Sequence, residues 1–293
     1  MKLIKQSFEF INQTDFSLVG IKKHIERCAR VSYKSQDKIT DTSYEKFVNM
    51  LESRGHDRPL EFGTVHLKMP ESEFRSLIDI LTSSRTYNDS WMHYKVVETW
   101  EEGYTVYVTT NYRYYKLMWN QMITLSKYFD KTDSEHYPKR YTVHMILDRG
   151  VMDEFRTHVG LSHLAESTRY CNYSKDKFGN ELTFIKPCWL DDEKLKLYGP
   201  YHTVIRDKSP ESIFIANLNN VERDYLDLIK LGWTPQQARS ILPLGIKSEL
   251  ISCGFEDAWE NFFKRRDAPD AHPMAQEIAN PMHKEFFKLT RAL

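Results

Sequence analysis

Between residues 148 and 173 the chain reads DRGVMDEFRTHVGLSHLAESTRYCNY. Arg149, Arg156, His158, His163 and Arg169 stand among small hydroxyl residues, and the stretch includes the run Ser167-Thr168-Arg169-Tyr170. A guanidinium presents a planar fork of donors that matches a phosphate or a pair of polarised carbonyls, and serine and threonine hydroxyls complete such a shell at short range. This density of donors reads as a site for a nucleotide or for the phosphates of a cofactor. The plainer alternative is a solvated helix face on which Asp148, Asp153, Glu154 and Glu166 neutralise the basic groups locally.

The elements that must position these residues are legible from period and composition. TVYVTTN at 105–111 is rich in β-branched residues and predicts a strand, and YRYYKLMWNQMITLSKYF after it has helical spacing. Tyr141, Val143, Met145 and Leu147 alternate with Thr142, His144 and Ile146, predicting a strand that runs to Asp148 and turns at Gly150. Val151, Phe155 and Val159 recur at i+4, predicting a helix over about 151–161 with Arg156 beside its buried stripe and His158 facing away. If the chain beyond Gly160 is extended, Ser167 and Arg169 point to one side by the period of two. Thr234-Pro235-Gln236-Gln237 has the form of a capped helix start, with Pro243 ending a short helix that holds Arg239. Two further helices follow, over 256–266 and about 274–293. The fold class expected is α+β, a mixed sheet flanked by helices, formed by one domain over 1–293 with surface insertions near 130–139 and 191–212.

Lysine plus arginine and aspartate plus glutamate number 41 each. No whole-molecule positive field therefore exists to hold a long nucleic acid or an anionic membrane, and any anion is small and bound locally. Cys28, Cys171, Cys188 and Cys253 form no CxxC pair, which argues against a structural zinc or a disulfide framework and fits a reducing cytoplasm. MKLIKQSFEFI lacks the uninterrupted apolar run of a secretory signal, and no later run reaches transmembrane length. His56, His66, His158 and His163 do not fall at HExxH-type spacing, so no metal site is expected.

The segment THVGLSHLAESTRY resembles the signature of the flavin-dependent thymidylate synthases, an Arg-His-Arg triplet followed by a serine and a Ser-x-Arg-Tyr ending. ARVSY at 29–33, PLEFGTV at 59–65, TTNYR at 109–113, QARSILP at 237–243 and NFFKRR with AHP at 261–273 resemble that family's other landmarks, in the family's order. The resemblance implies a homotetramer with active sites between subunits. It further implies FAD as redox cofactor, NADPH and methylenetetrahydrofolate as cosubstrates, and conversion of dUMP to dTMP. Carried over by position, Ser167, Arg169 and Arg239 bind dUMP, with Glu154 and Gln276 as further substrate contacts and Arg239 and Ser167 closest to the chemistry. Thr64, His158, Arg156 and Arg266 contact the flavin, with Ser32 and Asn111 beside them. An arginine fixed at a uracil carbonyl stabilises the charge that develops when C5 attacks a one-carbon unit. Pro187-Cys188 continues into Trp189 rather than the histidine of the cysteine-dependent synthases, so Cys188 reads as a packed thiol.

The chain departs from the pattern in its first shell. The triplet aligns with Thr157-His158-Val159, so both arginines are absent, and each lost charge-assisted contact costs roughly 1.5–3 kcal/mol. Arg156, at i−3 from Val159, is placed to compensate if both share a helix face. Leu164-Ala165 replaces an Asn-Glu pair, with Glu166 one place later. Such drift suits a paralogue that modifies another pyrimidine nucleotide or binds one without turnover. A third reading makes Tyr112, Arg113, Tyr114, Tyr115 and Lys116 a strip for stacking single-stranded nucleic acid, against the plainer one of an amphipathic helix.

Overall fold

The structure, a computed structural model, describes residues 1–83, 94–99, 104–121, 123–196 and 209–291. The chain opens with β1 (Lys2–Ile4), β2 (Ser7–Phe10), α1 (Leu18–Tyr33) and α2 (Ser43–Ser53). A 3-10 turn (Arg58–Phe62) then leads to β3 (Thr64–Pro70) and α3 (Glu71–Ser83). β4 (Tyr94–Thr99), β5 (Thr105–Asn111), α4 (Tyr112–Gln121) and the short β6 (Phe129–Asp130) come next. The middle runs through β7 (Arg140–Asp148), α5 (Arg149–Phe155), β8 (Ser162–Ala165), β9 (Thr183–Ile185) and α6 (Asp192–Lys196). The last part holds α7 (Pro210–Lys230), α8 (Pro235–Ala238), β10 (Lys247–Phe255), α9 (Glu256–Arg266) and α10 (Pro273–Arg291).

The class is mixed α+β, with helices flanking the sheets. Parallel and antiparallel pairings fall in separate sheets: β2-β7-β10-β8 and β4-β5-β3-β6 are antiparallel, while β1 lies parallel to β9. β10 is central to the first, pairing along its whole length with β7 and over Leu250–Cys253 with β8. Its alternation decides what covers it. Ile251 and Cys253 face Ile21, Ile25 and Cys28 of α1, whereas Leu250 joins Val143, Met145 and Leu147 against Trp259 and Phe262 of α9 and Ile278 and Met282 of α10. Each such side chain contributes roughly 1.5–3 kcal/mol by leaving water, so α1 and α9–α10 hold this sheet from opposite faces.

The strands over 105–111 and 140–148 form as expected, and so do the two helices near the C-terminus. Several other expectations change. The helix after β5 stops at Gln121 and a 3-10 segment follows, Ile123–Tyr128. Tyr112, Tyr114 and Tyr115 are buried in the core, so the tyrosines of this strip are not free to stack on bases. β7 does not turn at Gly150. Asp148 is the N-cap of α5, its carboxylate accepting from the Val151 N–H at 2.8 Å.

α5 itself ends at Phe155 rather than near Leu161. The Thr157 hydroxyl donates to the Glu154 carbonyl at 2.7 Å, and Gly160 has φ +94°, a left-handed backbone that turns the chain back. The exposures are consequently the reverse of the helical expectation: His158 is buried and Val159 is 62% exposed. Gly254 of β10 lets this return pass, since a Cβ there would lie 2.5 Å from Leu161 and 2.9 Å from the Gly160 carbonyl. β8 ends at Ala165, and Ser167 to Tyr170 form a turn closed by Tyr170 N–H donating to Ser167 O at 3.0 Å. A period of two therefore does not relate Ser167 to Arg169.

Cys188 is exposed, not packed. The stretch at 130–139 is anchored by Tyr137, which is buried, donates to Asp130 at 2.6 Å and stacks on His66 at 4.0 Å. Within 191–212, residues 197–208 lie outside the described part. No helix of the described residues is long and apolar enough to cross a membrane.

Candidate active site

Sequence-distant elements meet at one cavity of about 300 Å³. Its walls are Ser32 from the end of α1, Arg58 from the 3-10 turn, Arg149 and Arg156 from the two ends of α5, His163, Leu164 and Ala165 from β8, Glu166, Ser167 and Thr168 from the turn, and Arg239 after α8. A second cavity of about 530 Å³ adjoins it, lined by Arg58, Asp153, Arg156, Thr157 and His163. Ser167 and Arg239 thus face one space with Ser32 and Arg156. Arg149 and Thr168 lay inside the donor-rich stretch, and Arg58 immediately precedes PLEFGTV.

The remaining sequence candidates lie elsewhere. Arg169 does not line either cavity; its Nε donates to Gln236 Oε1 at 3.1 Å and its guanidinium lies over Tyr170. Arg266 donates from Nε to His158 Nε2 at 2.7 Å, from Nη1 to Glu154 Oε2 at 2.8 Å and from Nη2 to the Glu154 carbonyl at 2.8 Å. Gln276 donates to the carbonyls of Ala268 and Ala271 at 2.6 and 3.1 Å, holding the turn before α10. The Thr64 hydroxyl accepts from Arg140 at 3.1 Å beside a small separate cavity of about 140 Å³. The Asn111 side chain accepts from the Tyr114 N–H at 2.9 Å. Among the candidate cofactor residues, Arg156 and Ser32 therefore reach the cavities, while Thr64, His158, Arg266 and Asn111 are engaged within the chain.

Two buried histidines, His163 in the cavity wall and His158 next to it, have their tautomers fixed by what they touch. A guanidinium N–H can only donate, so His158 Nε2 accepts from Arg266 and carries no proton. A carbonyl can only accept, so His163 Nε2 donates to His158 O at 3.3 Å and His163 Nδ1 accepts from the Ser252 hydroxyl at 2.8 Å. Burial holds His158 at about 4, with the charge of Arg266 acting in the same direction. Burial likewise holds His163 at about 4, against the hydrogen bond to His158 and aided by Arg156 and Arg58. Both rings are neutral near pH 7.

An ion cluster lies beneath the turn. Lys247 donates to Glu166 at 2.9 Å and also to Glu249, while Lys34 pairs with Glu249 and lies 3.5 Å from Glu166. His144 Nε2 donates to Glu249 at 3.0 Å and Cys171 Sγ to Glu166 at 3.4 Å. Burial opposes ionisation of Glu249, but its bond from His144 and the two lysines outweighs that and holds the carboxyl below the usual range. The Cys171 thiol is pushed up to about 12 by burial and then by Glu166, so it is no nucleophile near neutral pH. Glu166, facing the cavity, is already matched by lysines. Backbone bonds fasten this floor: Ser167 N–H donates to Ser32 O at 3.4 Å and Glu166 N–H to Glu249 O at 2.8 Å. Glu61 of PLEFGTV secures the edge, accepting from Arg113 and from the Ser162 hydroxyl, each at 2.6 Å.

A cavity framed by guanidinium groups and hydroxyls, with its one lining carboxylate neutralised from behind, has the charge and donors to receive a small anion. The thymidylate synthase complementing protein family matches residues 125–290, and the chain belongs to that family. Comparison with curated proteins finds no match. Among solved structures, the chain is similar to thymidylate synthase X from Helicobacter pylori with FAD and dUMP, at 16% identity and TM-score 0.36, covering 50% of this chain and 66% of that one. It is also similar to a UMP/dUMP methylase from Streptomyces cacaoi bound with 5-Br UMP, at 14% identity and TM-score 0.43, covering 99% of this chain and 92% of that one.

Proposed function

We propose that the protein is a nucleotide methyltransferase that converts dUMP to dTMP with FAD, methylenetetrahydrofolate and NADPH, working as a homotetramer. What carries the reading is that Ser167 and Arg239, widely separated in sequence and both motif positions, line one cavity in a chain that belongs to this family. Ser167, Thr168 and Arg149 offer hydroxyl and guanidinium donors to the phosphate. Arg239 offers its guanidinium to a pyrimidine carbonyl. There it stabilises the negative charge that builds as C5 attacks the one-carbon unit, and being always charged it acts electrostatically rather than as a proton donor. Leu164 and Ala165 supply the less polar wall of the cavity.

For the cofactor, the residues fit its anionic part: Arg156 lines both cavities, and the Ser32 hydroxyl at the floor is buried without a hydrogen-bond partner among the described residues. Bound FAD would supply the hydride that completes the methyl group. Exposed Leu231, Trp233, Ile241 and Leu244 around α8 offer an apolar face for a second copy of the chain. A second reading, a paralogue that binds a pyrimidine nucleotide and modifies it differently or not at all, draws support from the engagement of His158 by Arg266 and from Thr157 and Val159 in place of arginines.

Calorimetric titration with dUMP and product analysis with labelled dUMP test the proposal. Binding that Arg239→Ala weakens about tenfold to a hundredfold, the loss of one charge-assisted contact, together with labelled dTMP from the complete mixture, is the expected result. Absence of dUMP binding, or an unchanged affinity in the variant, overturns the nucleotide site. Binding without product favours the second reading.

A further inference from the structure

We propose that Arg58, together with Arg156, forms a second phosphoryl-binding subsite beside the nucleotide cavity, and that it receives the diphosphate group of a second ligand. The inference rests on reading the first cavity as a nucleotide site. The two cavities share Arg58, Arg156 and His163, so they are adjoining chambers with guanidinium groups at the junction. Arg58, Arg149, Arg156 and Arg239 line the pair. Against them stands Asp153, 3.5 Å from both Arg149 and Arg156, because Glu166 is taken by Lys34 and Lys247. A phosphate monoester carries at most two negative charges, so a nucleotide monophosphate leaves cationic charge unbalanced. Neither Arg58 nor Arg239 makes a side-chain hydrogen bond or ion pair among the described residues; with Arg239 given to the pyrimidine, the surplus lies with Arg58.

The second chamber is also the wrong shape of chemistry for a planar ring. Apart from the His163 imidazole its walls are guanidinium, carboxylate and hydroxyl groups, with no aliphatic or aromatic face among the lining residues. Phosphoryl oxygens suit such walls, and a guanidinium fork binds them with two parallel bonds. Arg58 is well placed for this. It stands on a 3-10 turn whose Pro59, Leu60, Glu61 and Phe62 are all buried, and the Glu61 carboxylate and carbonyl accept from Arg113 and Arg140 at 2.6 and 2.8 Å. A rigid stalk under an exposed guanidinium lowers the ordering cost of binding. The subsite also answers for the arginines absent at Thr157 and Val159: Thr157 lines this chamber, Val159 points to solvent, and the positive charge arrives from Arg58 and Arg156 instead.

The test is titration of the full chain with inorganic phosphate, with pyrophosphate, and with pyrophosphate in saturating dUMP, for wild type, Arg58→Ala, Arg58→Lys and Arg156→Ala, each variant first checked for an unchanged melting temperature. Expected are pyrophosphate binding at least about tenfold tighter than phosphate, retention of that binding when dUMP is present, and a fall of about tenfold or more in the ratio of pyrophosphate to dUMP affinity in Arg58→Ala and in Arg156→Ala, with partial recovery in Arg58→Lys. Competition between dUMP and pyrophosphate for one site, or a ratio unmoved by Arg58→Ala, overturns the subsite. Loss of dUMP binding with Arg58-dependent pyrophosphate binding intact would sink the nucleotide reading alone.

Discussion

Whether a side chain reaches the cavity depends on the turn it stands on more than on its type. Arg169 and Arg239 are both arginines in recognisable motifs, yet Arg239 lines the space and Arg169 ties the Ser167 turn to Gln236 at 3.1 Å. The two buried histidines illustrate how such placement sets acid–base behaviour. His163 has a folded-state value of about 4 against the ordinary 6.5. Because the depressed value means the unfolded chain binds the extra proton first, its contribution to stability is complete above pH 6.5 and is lost as pH falls toward 4. Thermal melts across that window are expected to show stability falling with pH. In His163→Asn, whose amide oxygen keeps the bond from Ser252, proton uptake on unfolding near pH 5 should drop by about one; an unchanged slope would refute this account.

At the level of elements, strands and helices with a long regular period were readable from the sequence, as β5, β7 and α9 show. α5 was not. Val151 and Phe155 carry a helical period that Val159 continues, but a hydroxyl bonding back to Glu154 and the left-handed Gly160 end the helix early. Arg58 was out of reach for a different reason, since nothing local joins a 3-10 turn near residue 58 to a strand near residue 163. α5 is short and carries Arg149 and Arg156 at its ends, so its cap matters. Asp148→Ala is expected to cost about 1 kcal/mol in denaturant unfolding and to weaken dUMP binding as the two arginines lose their common base. The ion cluster fastens α1, β7, β8 and β10 in the same way. Lys247→Met leaves Glu166 and Glu249 buried with too few cations and should cost about 3–5 kcal/mol. Lys247→Met combined with Glu249→Gln should recover part of that, and failure to do so would mean the loss comes from packing.

Across the whole molecule, a formal charge of zero conceals local separation, with four guanidinium groups gathered at one cavity whose lining carboxylate, Glu166, is matched by lysines. That separation was legible as a donor-rich stretch. Ser32 and Arg239 were named by the motifs that carry the resemblance, whereas Arg58 of the 3-10 turn was not, because only the folded sheet brings it to the cavity. β10 is the element the assembly shares, lending Ile251 and Cys253 to one core and Leu250 to the other.

The thiols divide in a way that makes the chain addressable. Cys28, Cys171 and Cys253 are at most 1% exposed, while Cys188 lies at the surface beside Trp189. A maleimide dye added to the native protein should therefore attach at a single position, read by intact-mass spectrometry as one adduct that becomes four in guanidinium. A fluorophore installed there, next to an indole and on a residue that lines neither cavity, would report conformational changes.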